Sequence, residues 1–192
     1  MKEGSPGAVG ERDEQTAAQL DAAAWLIEWL PPGARVLDLG CGTGRPTAVQ
    51  LDQAGLCLVG VDQSEDLIRQ ARRRAPHAEF HCRDLRDLSG LGEFEAVVSF
   101  FSLMLLPKPD AVALLGLILQ VLRGPRLLVL AGGDFDARPA TSRAEAKLTA
   151  WPAGELVSVV EEAGFKILRT DEVEGEPGRV ERQIFIRARS AG

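Results

Sequence analysis

The stretch from Val36 to Gly44 constrains this chain more than any other part of the sequence. It reads V-L-D-L-G-C-G-T-G, an apolar run followed by three glycines at alternate positions. The apolar run is typical of the end of a buried parallel strand, and Pro46 is well placed for the first turn of a helix. Glycines allow a tight turn and the close approach of a bound molecule. The stretch therefore predicts a strand, a cofactor loop and a helix whose free N–H groups face the cofactor.

The spacing of the glycines separates this loop from the dinucleotide fingerprint. That fingerprint is G-x-G-x-x-G, whereas this loop reads G-x-G-x-G with an aspartate two positions before the first glycine. The pattern D-L-G-C-G-T-G resembles motif I of class I S-adenosylmethionine-dependent methyltransferases. The resemblance implies S-adenosylmethionine as cofactor and S-adenosylhomocysteine as its product. The cofactor-binding residues that it implies in the motif are Asp38, Gly40, Cys41, Gly42, Thr43 and Gly44.

Strand-like and helix-like segments alternate after this loop. We expect strands at 35–39, 57–61, 79–82, 95–99 and 126–131, and helices at 46–53, 64–74 and 111–122. A helix at 152–163 and strands at 165–170 and 182–188 follow, with turn residues at 175–178. The alternation predicts one α/β domain over residues 1–192. We expect a doubly wound, Rossmann-like sheet of seven mostly parallel strands, with helices on both faces and a C-terminal antiparallel hairpin.

The N-terminal region divides into two parts. Residues 1–14 are polar and contain Gly-Ser-Pro-Gly, so we expect them to be flexible. Residues 15–32 form an apolar stripe that ends at two prolines, which predicts a helix lying over the site. Trp25 and Trp29 flank that stripe, and the sequence leaves open whether they line a substrate wall or pack into the core.

Further candidates lie where the second and third strands end. Ligands of doubly wound sheets bind beyond the carboxyl ends of the strands. Asp62, followed by Gln63, stands about 20 residues after the first glycine, where a carboxylate can accept hydrogen bonds from a ribose diol. The resemblance places Asp84 on the adenine amino group and the Leu85 backbone N–H on a ring nitrogen, with Asp87 as an alternative to Asp84.

The fourth strand ends in Ser99 and Phe100, which match the family's position beside the methionine part of the cofactor. Enzymes of this fold that methylate amide or base nitrogens carry N-P-P-Y or a close variant there, and this chain does not. The stretch 121–125 resembles the family's L-x-P-G-G turn, but its proline is displaced and one glycine is missing.

Catalysis of methyl transfer requires mainly that the enzyme align the nucleophile with the methyl group. The chain has two histidines and no tyrosine. We expect His77 on a surface loop and His81 at the rim of the adenine region, neither acting as a base. Asp134 is a weak candidate for a catalytic residue, and Asp136 and Glu181 are further polar candidates. No metal-site pattern stands out, so we expect no metal.

The composition limits the kinds of partner that we expect the chain to bind. The net charge of −6 lacks the basic footprint of a nucleic-acid-binding surface, and no apolar run is long enough to span a membrane. Three scattered cysteines favour a cytoplasmic protein. The resemblance implies methyl transfer to a small organic molecule, with secondary metabolites among the candidates. The Trp, Phe, Leu and Met side chains of the segments around 25–29 and 100–107 favour a mostly apolar acceptor. Two alternatives stay open: a non-methylating enzyme that uses the same cofactor fold for cyclisation or rearrangement, and a cofactor-sensing binding subunit.

Overall fold

The computed structural model describes residues 7–134, 148–174 and 182–192, with side chains described from Thr16 onward. Five helices occur in these ranges: α1 Gly7–Trp29, α2 Thr47–Gln53, α3 Glu65–Arg74, α4 Lys108–Val121 and α5 Ala153–Glu162. The strands are β1 Arg35–Leu39, β2 Cys57–Asp62, β3 Glu79–Cys82, β4 Phe94–Phe100, β5 Leu122–Asp134, β6 Phe165–Glu174 and β7 Arg182–Ser190. A short 3-10 turn, Leu103–Leu105, lies between β4 and α4.

The seven strands form one sheet in the order β3-β2-β1-β4-β5-β7-β6. Strands β1 to β5 pair in parallel, and β7 pairs antiparallel with both β5 and β6. The strand order reverses between β1 and β4, so a ligand crevice is expected beyond their carboxyl ends. The predicted doubly wound sheet with a C-terminal antiparallel hairpin is confirmed. The turn predicted at 175–178 lies outside the described residues.

Two hydrophobic layers cover the sheet. The helices α1, α2 and α3 bury one face together with Val36, and α4 and α5 bury the other face together with Leu37 and Leu39. Because both faces of the central strands are buried, these strands read as nearly continuous apolar runs. Asp38 interrupts the run in β1 and lies on the face that carries the first three helices, since side chains alternate along a strand.

Element boundaries differ from the prediction mainly at the ends. The expectation that residues 1–14 are flexible stays a prediction. Helix α1 begins at Gly7 and therefore includes residues 7–14, ahead of the helix predicted at 15–32. That stretch contains glutamates and an arginine, which favour helix. Strand β5 extends to Asp134 because β7 pairs with it from Leu127 onward. A pairing partner of this kind is not visible in the local sequence.

Helix α1 is attached to the sheet by a charged cluster. The Arg187 side chain of β7 is 1% exposed and forms ion pairs with Asp21 of α1 and Asp171 of β6. Arg169 joins the same two carboxylates, at 3.6 Å from Asp21 and 2.9 Å from Asp171. The cluster links α1 to the two C-terminal strands, which are far away in sequence.

Removing the buried arginine should destabilise the fold. We expect Arg187→Ala to lower the free energy of unfolding by about 2–4 kcal/mol, because the two carboxylates lose a desolvated partner. Arg189→Ala, on the same strand with an exposed side chain, should cost less than about 1 kcal/mol. Urea unfolding of both variants measures the difference. Equal losses would show that the cluster does not anchor α1.

Candidate functional site

The glycine loop follows β1 and is held against the end of β2. The backbone N–H groups of Gly40 and Cys41 both donate to the Val61 carbonyl, at 2.8 and 3.0 Å. The Gly44 N–H then donates to the Cys41 carbonyl at 2.9 Å. These three hydrogen bonds curl the loop directly beyond the carboxyl end of β1, as the motif predicts.

Two of the loop glycines are needed for different physical reasons. Gly40 has a φ of +77°, and a Cβ placed on it would lie 2.4 Å from the Cβ of Ser102, so the backbone after β4 packs directly on it. Gly42 has a φ of +53°, but a Cβ there would meet no atom within 4 Å. Gly40 therefore serves packing, whereas Gly42 leaves open space on the ligand side of the loop.

The Asp62 carboxylate joins this loop to the next helix. Its Oδ2 accepts a hydrogen bond from the Gly42 N–H at 3.0 Å, and its Oδ1 accepts one from the Ser64 N–H at 2.9 Å. The Ser64 hydroxyl caps α3 by accepting from the Leu67 N–H at 3.4 Å. Each carboxylate oxygen keeps a second lone pair for a ligand.

Asp38 is a buried carboxyl group at the base of the loop. It is 3% exposed, and no donor of the described residues lies within hydrogen-bonding distance of its side chain. Burial, and secondarily the nearby charge of Asp62, raises the pKa of Asp38 from 3.8 to about 7. A carboxyl group in this situation favours a cationic partner, because an opposite charge would stabilise its ionised form.

A cavity of about 210 Å³, here called the loop cavity, opens between the loop, β4 and α1. Helix α1 covers it through Gln19, whose amide donates to the Thr47 hydroxyl at 2.8 Å. Of the residues expected from the sequence, the cavity collects six: Asp38, Gly40, Cys41, Gly42, Thr43 and Phe100. Sequence reasoning missed the others, which are Gln19, Arg45, Thr47 and Phe101. Arg45 had a signal, a cationic side chain directly after the last loop glycine.

Ser99 does not line the loop cavity as expected. Its side chain is fully buried and shares a hydrogen bond with the Ser102 hydroxyl. Ser102 in turn donates to the Leu39 carbonyl at 2.6 Å. The Ser99 hydroxyl therefore bonds to Ser102, and it is Ser102 that ties the segment after β4 to β1.

Three other expected residues, Asp62, Gln63 and Gly44, also lie outside the wall of the loop cavity. The Gln63 side chain is exposed at the carboxyl end of β2. Gly44 faces α3, and a Cβ placed on it would lie 3.2 Å from the Cα of Ala71. Gly44 therefore allows the loop to pack closely against α3.

The adenine candidates lie in the loop after β3. Arg86 donates to both oxygens of Asp84, at 2.7 and 2.8 Å, and to Asp110 of α4 at 2.7 Å. These hydrogen bonds lower the pKa of Asp84 to about 2. Leu85 is buried, and neither it nor Asp84 lines the loop cavity. The alternative, Asp87, accepts hydrogen bonds from the backbone and hydroxyl of Ser89.

The histidines are engaged away from the loop cavity. His81 Nε2 lies 2.8 Å from Glu79 Oε1 in a separate groove beside Arg35 and Arg83. His77 is exposed, with Nδ1 at 3.3 Å from Asp52 Oδ2. Neither histidine is among the residues that line the loop cavity, and the expectation that neither acts as a base stays a prediction.

Asp134 is the last residue of β5, opposite Arg182 of β7 in the sheet register. It does not line the loop cavity, so its catalytic role stays a prediction. Asp136 and Glu181 lie outside the described residues.

Trp25 packs against the core and against Trp29, with ring centroids 5.2 Å apart, while Trp29 is 51% exposed. This arrangement favours packing for Trp25.

A larger groove of about 900 Å³ lies between α1 and α2, and we call it the α1–α2 groove. Leu20 and Ala24 line it from α1, and Val49 lines it from α2. Arg45 lines both this groove and the loop cavity, so this residue belongs to the walls of both spaces.

Metal ligation and membrane insertion find no support in the described ranges. They contain no group of three or more His, Cys, Asp or Glu side chains placed to hold a metal ion. None of their helices has the length and apolar character needed to cross a membrane.

Comparison with known proteins agrees with the loop and the sheet. A family model described as "Methyltransferase domain" matches residues 36–124, the stretch from β1 to the start of β5. This match agrees with the motif I resemblance to class I S-adenosylmethionine-dependent methyltransferases. The magnesium-protoporphyrin O-methyltransferase of Rhodobacter capsulatus is 42% identical over 83 residues, which are 41% of this chain and 36% of that protein. The chain thus matches well under half the length of this relative.

Solved structures share the fold over almost the whole chain. The magnesium protoporphyrin IX methyltransferase of Synechocystis PCC 6803, solved with bound S-adenosylhomocysteine, superposes with a TM-score of 0.77 at 21% identity. The match covers 99% of this chain and 90% of that one. The [4+2]-cyclase SpnF superposes with a TM-score of 0.69 at 21% identity, covering 89% of this chain and 81% of that one.

The raised pKa of Asp38 predicts a specific pH dependence of stability. The folded state still holds a proton near pH 6 that the unfolded state has released, so stability falls as the pH rises through about 7. Between pH 5.5 and 8.5 we expect the wild type to lose about 2 kcal/mol relative to Asp38→Asn. Urea unfolding at both pH values measures this change.

The control for this experiment is Asp66→Asn, which alters an exposed carboxylate of α3 paired with Arg69. This variant should follow the wild type across the same pH range, because an exposed pair contributes little. If Asp38→Asn also followed the wild type, Asp38 would be ionised throughout and the assignment would be wrong.

Proposed function

We propose that the chain transfers a methyl group from S-adenosylmethionine to a small organic acceptor. The observation that carries the proposal is the pairing of Gly42 with Asp38. Gly42 leaves open space above the loop, and beneath it lies a buried carboxylate without a described donor. An α-ammonium group is the kind of partner that such a carboxylate favours. The match of residues 36–124 to a methyltransferase-domain model supports the same conclusion.

We assign to the other candidate residues the cofactor contacts that suit their positions. Asp62 would accept from the ribose hydroxyls through its second lone pairs while it still holds Gly42 and Ser64. Asp84 and the Leu85 backbone N–H would receive the adenine edge. The loop residues from Gly40 to Gly44, together with Phe100, would surround the methionine part.

The cofactor would supply a methyl group on a sulfonium, which is already a good leaving group. The contribution of the chain is to position the acceptor and exclude water, and positioning alone can supply several kcal/mol. Helix α1 serves both purposes, because Gln19 closes the loop cavity through its hydrogen bond to Thr47. Asp134, at the end of β5, would act as a base only for an acceptor that must lose a proton.

The acceptor that we propose is small and mostly apolar, such as a secondary metabolite, and the place of action is the cytoplasm. The volume of the α1–α2 groove and the apolar part of its wall, formed by Leu20, Ala24 and Val49, support this size and character. The net charge of −6 argues against a nucleic-acid substrate.

A second candidate function is a non-methylating cyclisation in the same fold. The observation that favours it is the [4+2]-cyclase SpnF, which superposes with a TM-score of 0.69. The two functions differ in their products, since only methyl transfer yields S-adenosylhomocysteine. Mass spectrometry of that product, after incubation with S-adenosylmethionine and a panel of acceptors, separates them.

Calorimetry with S-adenosylhomocysteine tests the site itself. The wild type should bind it and should not bind NAD. Gly42→Val should reduce binding at least about a hundredfold, because its side chain would enter the open space of the loop cavity. Circular dichroism should show nearly unchanged helix content.

Gly33→Val is the matched control for Gly42→Val. Gly33 has a φ of +74°, and a Cβ placed on it would also meet no atom within 4 Å, but it lies in the turn before β1. This variant carries similar backbone strain without filling the cavity, so its affinity should stay within about twofold of the wild type. Full binding by Gly42→Val would refute the proposed site.

A further inference from the structure

The α1–α2 groove and the loop cavity are two spaces that share one wall residue. The groove measures about 900 Å³ and the loop cavity about 210 Å³, and Arg45 belongs to the walls of both. A molecule in the groove would therefore have one end at the Arg45 guanidinium, next to the glycine loop. Its remainder would contact Leu20, Ala24 and Val49.

The charged side chains around these two spaces differ in whether they can pair with a ligand in the groove. Asp21, the acidic residue of the groove wall, is paired with Arg187 and Arg169. Asp38 lies in the loop cavity only. The Arg45 side chain is exposed and makes no hydrogen bond or ion pair with any residue that the structure describes. Arg45 is thus the charge at the junction that is open to a ligand.

We infer that the α1–α2 groove is the acceptor site and that Arg45 binds a carboxylate of the acceptor. The inference rests on the proposed methyl transfer and names the class of its substrate: an apolar body that carries an anionic group. A guanidinium presents paired N–H donors that match a carboxylate. The apolar groove wall provides for the rest of the molecule.

The cofactor's own carboxylate is the other source of the same chemistry. The loop cavity offers that group neutral donors, since the Thr43 backbone N–H has no acceptor among the described residues. Arg45 lines the groove as well as the loop cavity, whereas Thr43 and Asp38 line the loop cavity and not the groove. The acceptor is therefore the source that the position of Arg45 favours, and an experiment can separate the two.

Two probes of equal chain length test the inference. Octanoate and octan-1-ol differ in their head group, and each is titrated into protein saturated with S-adenosylhomocysteine. The wild type should bind octanoate more tightly than octan-1-ol. Arg45→Gln should weaken octanoate binding at least about tenfold, the effect of a lost charge-assisted contact, and change octan-1-ol binding less than about twofold.

Two further variants locate the effect. Arg73→Gln removes an exposed arginine of α3 and should leave both probes unaffected. Gln53→Trp places a large ring at the exposed edge of the groove and should weaken both probes, with unchanged affinity for S-adenosylhomocysteine. Octanoate binding that is insensitive to Gln53→Trp would place the probe outside the groove and overturn the inference.

The cofactor arm uses S-adenosylhomocysteine and 5′-methylthioadenosine, which lacks the amino-acid part. If Arg45→Gln weakened only S-adenosylhomocysteine, by about tenfold or more, Arg45 would serve the cofactor carboxylate and the inference would fail. It would also fail if the wild type bound octanoate no better than octan-1-ol. Failure of the wild type to bind S-adenosylhomocysteine at all would instead refute the proposed function, so the two failures are distinguishable.

Discussion

The two hydrogen bonds accepted by the Asp62 carboxylate are the constraint on which the site depends. One oxygen holds the Gly42 N–H and the other holds the Ser64 N–H, so a single side chain fixes the glycine loop against the start of α3. The loop is short and rich in left-handed glycines, which lose much conformational freedom when they are ordered. Asp62 accepts a hydrogen bond from the middle of this loop, and this charge-assisted bond offsets part of the entropic cost before any ligand binds.

Helix α1 completes the site from a different direction. Its buried residues pack on the face of the sheet that carries α2, its Asp21 pairs with the buried Arg187, and its Gln19 reaches Thr47. The loop cavity and the α1–α2 groove therefore share one wall, and that wall is attached to the C-terminal strands by charge. Any displacement of α1 would change both spaces together.

The sheet and the loop could be predicted from the sequence, because both are local patterns. Alternating apolar runs give the strands, and the spacing of Gly40, Gly42 and Gly44 gives the turn. Ser99 shows the limit: β4 is buried on both faces, so its sequence does not reveal which way a hydroxyl points. Gln19 and Phe101 reach the cavity only through tertiary packing. Arg187 lies in an apolar run of β7, and its charged partners, Asp21 of α1 and Asp171 of β6, lie on other elements, so the sequence of β7 does not reveal them.

Asp38 shows how stability and binding are opposed at this site. A neutral, apolar residue in the middle of β1 would remove the unfavourable burial that raises the pKa of Asp38 to about 7. The same burial places in the cavity a carboxyl group whose ionised form a bound cation would stabilise. A cationic ligand would restore the ionised form and recover the energy lost to burial. Binding and folding are thus linked through one proton, and the affinity for an ammonium-bearing ligand should rise as the pH passes through about 7.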